Sequence, residues 1–176
     1  MNDINRLLQR LCDAEIEFVI VGGFAAVIHG SSLLTRDLHV CALLTQENVN
    51  KLREALQDLR PVHRLSGQKL SFLDNPAADV KVNNLYLGTD FGPVDFLSNV
   101  LGVGDFESVR AHAVEVELFG RRCRVISLDD LIRAKEALSR DKDQQAVLQL
   151  RAIREKLKVA QASAAAAPAQ PTSDPP

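Results

Sequence analysis

The stretch Val21-Gly-Gly-Phe-Ala-Ala-Val-Ile-His-Gly-Ser-Ser-Leu-Leu-Thr-Arg-Asp-Leu-His-Val40 decides the fold. It is entered from Ile16 to Val21, a short run rich in β-branched residues that stops at Gly22-Gly23, the pattern of a buried strand. Paired glycines let backbone N–H groups approach a bound phosphate closely, yet they also end strands for conformational reasons alone. Both readings stand at this point. Phe24 to His29 predicts a helix stopped by Gly30, Ser31 to Arg36 a loop, and Asp37 to Leu44 a second strand. Residues i and i+2 of a strand face one side with Cα atoms roughly 6–7 Å apart, so Asp37 and His39 are expected to project together near the glycine turn.

Outward from this stretch, Asn5 to Ala14 carries Leu7, Leu8 and Leu11 at helical spacing. Gln46 to Leu59 does the same with Val49, Leu52, Leu56 and Leu59, and Pro61 closes it. Arg64 to Leu73, Val80 to Leu87 and Pro93 to Leu97 read as strands, the last two joined by the turn-rich Gly88 to Gly92. Asp95 sits between Val94 and Phe96, so its apolar flanks point one way and its carboxylate the other. Phe106 to Ala111 reads as a short helix, and Val114 to Phe119 with Arg122 to Ile126 as a hairpin around Gly120. Ser127-Leu-Asp-Asp130 has the form of a capping box that opens a helix to about Leu138, and Lys142 to Lys158 forms a final helix. The expected fold is α/β: a mixed, twisted sheet with flanking helices and a C-terminal helical extension over about 127–158. Residues 1–158 form one domain, and the Ala/Pro-rich segment 159–176 is expected to be disordered.

Composition supports one domain and narrows its roles. Of 176 residues, 46% are apolar and 25% charged, enough for one sizeable core. Lys plus Arg number 21 against 23 for Asp plus Glu, a balance that excludes a generally basic nucleic-acid coat. The absence of Trp and a single Tyr also argue against a base-stacking platform of the single-strand-binding type. Cys12, Cys41 and Cys123 form no paired motif, which predicts free thiols in a reducing compartment. MNDINRLLQR lacks the apolar core of a signal peptide, and Phe18 to Ile28 is shorter than the ~20 residues that span a bilayer. A cytoplasmic protein without a membrane partner is expected.

The order of these pieces resembles the nucleotidyltransferase superfold typified by DNA polymerase β. It is similar in particular to the small bacterial members related to abortive-infection and toxin–antitoxin nucleotidyltransferases. Their pattern is a Gly-Gly or Gly-Ser pair, a spacer, Asp-x-Asp or Asp-x-Glu, and a later carboxylate between apolar residues. Here the counterparts are Gly22-Gly23, Thr35-Arg36-Asp37-Leu38-His39 and Val94-Asp95-Phe96. Ser127 to Lys135, followed by Arg140, Lys142 and Asp143, resembles the C-terminal helical region of those members. The likeness spans about Ile16 to Leu157. It implies transfer of a nucleoside monophosphate from a nucleoside triphosphate to an RNA (tRNA included), protein or small-molecule acceptor. Asp37, His39 and Asp95 would ligate Mg²⁺ or Mn²⁺, with Asp37 and Asp95 catalytic and Asp95 near the acceptor. Gly22 and Gly23 would cradle the triphosphate, and Lys135 would face its phosphates.

One departure matters: His39 stands where the family has its second metal carboxylate. Two-metal phosphoryl transfer relies on carboxylates to hold ions ~3.5–4 Å apart. An imidazole adds no negative charge, and Mg²⁺ prefers oxygen, so Mg²⁺ affinity should fall while Mn²⁺ loses less. Plainer roles stand beside each assignment. Asp37 also fits a strand-entry turn, His39 a partly exposed strand histidine, Asp95 a satisfied carboxylate, and Lys135 a salt-bridged helix face. The rival to an enzyme is a nucleotide-binding or protein-interaction module, such as one component of a toxin–antitoxin pair, that kept the fold after losing a metal ligand.

Overall fold

The apolar runs do assemble into one sheet, and their order in it brings the quoted stretch to the centre. The computed structural model describes residues 3–77 and 80–165. Helix α1 (Ile4–Asp13) is opened by the Asp3 carboxylate, which accepts from the Arg6 amide, and buries Leu7, Leu8 and Leu11. Then follow β1 (Phe18–Val21), α2 (Gly22–Ile28), β2 (Leu38–Ala42) and α3 (Gln46–Leu56), the last capped by the Thr45 hydroxyl on the Asn48 amide. Next come β3 (Val62–His63), β4 (Asn84–Thr89), β5 (Gly92–Leu97), β6 (Asn99–Val100), β7 (Gly104–Asp105) and α4 (Phe106–Ala111). The chain continues with β8 (Val114–Leu118), β9 (Arg121–Val125), α5 (Leu128–Leu138) and α6 (Asp141–Ala165).

Seven strands form a mixed sheet in the order β3-β4-β5-β2-β1-β9-β8, while β6 and β7 form a separate pair. β1 is antiparallel to β2 and parallel to β9, and β2 is parallel to β5. All four residues of β1 are buried, as expected for a strand with neighbours on both edges. Leu38 and Val40 of β2, Val94 and Phe96 of β5, and Leu85 and Leu87 of β4 turn one face into the core. The same alternation leaves His39 and Asp95 on the opposite face. The expected α/β architecture is therefore the observed one.

Several boundaries differ for local reasons. The strand expected over Arg64 to Leu73 contracts to β3 and a single bridge from Val62 to Ser71. There the Ser66 hydroxyl donates to the His63 and Gln68 carbonyls, a side-chain bond that competes with a strand ladder. β4 begins at Asn84 rather than Val80 and runs on to Thr89, so the β4–β5 turn is tighter than Gly88 to Gly92. The helix after β1 takes in both glycines instead of starting at Phe24. α3 gives way at Gln57–Leu59 to a 3₁₀ turn. β6 and β7 carry too few residues for any periodicity and were not expected.

The largest correction is at the C-terminus. α6 continues to Ala165, so 159–165 extends a helix where disorder was expected; alanine is the strongest helix former. Residues 166–176 of that expected tail lie outside the described residues. Among the described residues no helix is long and apolar enough to cross a membrane.

Candidate functional site

The sheet register builds the site. Val21 at the end of β1 lies opposite His39, His39 lies opposite Asp95, and Asp95 lies opposite Tyr86 of β4. One step further, the Arg64 amide donates to the Tyr86 carbonyl at 2.8 Å. Register partners point to one face, so His39, Asp95 and Arg64 share a row across three strands and the segment after β3.

Asp95 is the buried centre of that row, at 6% exposure. His39 Nε2 donates to Asp95 Oδ2 at 2.9 Å, and Arg64 Nη2 donates to Asp95 Oδ1. Because an ionised carboxylate only accepts, the bond fixes the proton of His39 on Nε2. Burial pushes the Asp95 carboxyl upward, but the hydrogen bonds and charges of His39 and Arg64 outweigh it and hold the group below the usual aspartate range. Asp95 is therefore an anion with both oxygens already satisfied.

The paired glycines serve this row through contact. Gly22 has φ +68°, and a Cβ there would stand 2.7 Å from His39 Nδ1. A Cβ on Gly23 would stand 2.7 Å from the Thr35 hydroxyl oxygen. Thr35 in turn donates to the Asp37 carbonyl at 3.2 Å, tying the loop before β2 to its own strand. The space left by the two missing side chains is filled by His39 and Thr35 of the same chain.

The expected residues are thus brought together in part. His39 and Asp95 are in contact beside Gly22, and Asp37 stands one residue ahead of β2, half-buried. Lys135 has a partner of its own: its Nζ lies 2.8 Å from Asp143 Oδ1, while Arg140 Nε reaches Asp143 Oδ2 at 2.6 Å. Its charge is committed to a carboxylate buried between α5 and α6, and only 14% of its side chain is exposed. Arg64 is the residue that sequence reasoning missed. Its only cue was its place near the strand that pairs with β4, and the register that aims it at Asp95 is not written in local spacing.

Two-metal chemistry asks for carboxylate oxygens that are free and for surplus negative charge. The residues present do not fit that demand. A guanidinium and an imidazole take the Asp95 oxygens, and Arg64 cancels its charge. Among the described residues, no group of three or more His, Cys, Asp or Glu side chains is disposed to hold a metal ion. A cavity of about 350 Å³, lined by Cys12, Glu15, Phe18, Arg122 and Cys123 among others, lies away from this row.

With fold and site in place, comparison with known proteins gives the class. Residues 1–166 match the family described as "Nucleotidyl transferase of unknown function (DUF2204)", and the chain belongs to that family. Its fold is similar to that of the lincosamide antibiotic adenylyltransferase LnuA in the lincomycin-bound state, with TM-score 0.56 and 15% identity over 85% of this chain and 95% of that one. A protein from Thermotoga maritima described as a candidate nucleotidyltransferase aligns at TM-score 0.46 and 14% identity, over 89% of each chain. Among curated proteins, none matches the sequence.

Proposed function

We propose that this chain is a nucleoside-triphosphate-binding member of its family in which metal-dependent nucleotidyl transfer is suppressed. One observation carries the reading: both oxygens of Asp95 are occupied by Arg64 and His39. Family membership supports the nucleotide as ligand. The ion cluster supports the loss of transfer, because a divalent cation would have to displace a guanidinium from a buried carboxylate. That exchange is costly because the incoming cation must shed water to reach a buried carboxylate and the existing charge-assisted hydrogen bond is lost.

A second reading, a working transferase using Asp37, His39 and Asp95, is favoured by the position of Asp37, at the entry of β2 and two residues before His39. It requires Arg64 to leave Asp95. One assay separates the two. The protein is incubated with each labelled nucleoside triphosphate, with Mg²⁺ or Mn²⁺, and with total RNA, protein and small hydroxyl compounds as acceptors; retention of labelled nucleotide is measured in parallel. Retention without transfer is expected. Transfer by the unmodified protein that disappears in Asp37→Ala would establish the enzyme instead.

A further inference from the structure

We infer that Arg64 acts as a resident cation for the phosphates of the bound nucleotide, so that nucleotide binding by this chain does not depend on a divalent metal. The inference rests on the nucleotide-binding reading above and adds a residue and a metal-independence to it.

Geometry carries it. Arg64 commits one of its five guanidinium N–H groups to Asp95 Oδ1, and the planar fork that remains matches the oxygens of a phosphate. Its side chain is 31% exposed against 8% for Asp95, so the pair meets solvent on the arginine side. The guanidinium is held at both ends of its stem. At the base, the Arg64 amide bonds to the Tyr86 carbonyl. Along the stem, Cγ lies over Gly88, where a Cβ would stand 3.4 Å away. A guanidinium already positioned by a buried carboxylate loses less freedom on receiving a phosphate than a free one would.

His39 completes the arrangement from the other side. Its Nε2 occupies Asp95 Oδ2, so Asp95 has no second oxygen free to recruit a cation from solution. In a metal-dependent site the same carboxylate would have to be open. Here the N–H donors that would meet the phosphates are built into the chain, on a guanidinium paired with Asp95.

The test is equilibrium binding of ATP, GTP, CTP and UTP to the full chain, with excess EDTA or with millimolar Mg²⁺, for the unmodified protein, Arg64→Gln and Arg64→Lys. The preferred nucleotide should bind the unmodified protein equally well in both buffers. Arg64→Gln should weaken binding in EDTA by about tenfold, the scale of one charge-assisted phosphate contact. Arg64→Lys, which keeps the charge but loses the fork, should fall between the two and guards against a folding defect in the first variant. Binding by the unmodified protein only when Mg²⁺ is present would overturn the inference and leave the nucleotide-binding reading intact. Equal binding by Arg64→Gln in EDTA would also overturn it, reducing the Arg64–Asp95 pair to a structural role. Absence of binding in either buffer would bring down the underlying reading itself.

Discussion

The His39 imidazole rests against Gly22 so closely that a methyl group on Gly22 would stand 2.7 Å from its Nδ1. The glycine therefore has two reasons to be there: a backbone with φ +68° and a neighbouring ring that leaves no room. Gly120, in the β8–β9 turn, separates these effects, because it has φ +72° and a Cβ added there would meet nothing within 4 Å. Gly120→Ala should cost about 1–2 kcal/mol from the left-handed backbone alone. Gly22→Ala should cost at least about 1 kcal/mol more, since His39 must shift and loosen its bond to Asp95. Urea unfolding of both variants checks this; equal losses would mean the ring contact is soft.

Removing the charge at Asp95 strips two cationic or donating partners of their acceptor. Asp95→Asn should lower stability by about 2 kcal/mol, with both partners part-exposed and so partly rescued by water. Arg64→Gln combined with Asp95→Asn should recover part of the loss, because no unpaired guanidinium then remains. A double-mutant cycle in urea measures the coupling.

Asp143 gives the fold an acid-sensitive clasp between α5 and α6. Burial raises its carboxyl, but hydrogen bonds from Lys135 and Arg140 outweigh this and hold it below the ordinary range. A depressed folded value means that the stabilisation is complete above the unfolded value of about 3.9 and fades as the pH falls through the folded one. Asp143→Asn should therefore be less stable than the unmodified protein at pH 7, and the gap should narrow below about pH 4. Thermal unfolding across roughly pH 2.5–7 reads the difference.

The thiols should be sluggish. Burial, then the nearby Cys123, pushes Cys12 up to about 12, and burial pushes Cys41 up to about 12 as well. Cys12 and Cys123 are free, with Sγ atoms 3.7 Å apart. At about pH 8 an aromatic disulfide reagent should label the native protein slowly and release three equivalents only after denaturation, since the thiolate is the reacting form.

Much of this was legible in the sequence because it rests on local pattern. The apolar–acid–apolar order of Val94-Asp95-Phe96 announced which way the carboxylate points, and the strand–Gly-Gly–helix–loop–strand order of residues 16–44 announced the first two strands and the helix between them. What escaped depends on partners distant along the chain. Lys135 and Asp143 were both visible as charges near one helical region, but only the packing of α5 on α6 puts the ammonium on that carboxylate. Arg64 lay in a segment expected to be a plain strand, and its place against Asp95 follows from a register set by β4 and β5. The paired glycines looked alike on either view; their contacts with His39 and Thr35 appear only once the 35–39 segment is placed.

Arg64 and His39 of the same chain contact the two carboxylate oxygens of Asp95, and the proposed reading takes Arg64 as the partner that a metal ion would otherwise be. Mn²⁺ titrated into the full chain and followed by the electron paramagnetic resonance of free Mn²⁺ tests this directly, for the unmodified protein and for His39→Asp combined with Arg64→Gln. The unmodified protein should bind no Mn²⁺ in the micromolar range, and the double variant, which adds a carboxylate and removes the guanidinium, should gain at least about tenfold in affinity. Micromolar binding by the unmodified protein that is lost in Asp37→Ala or Asp95→Asn would contradict the account.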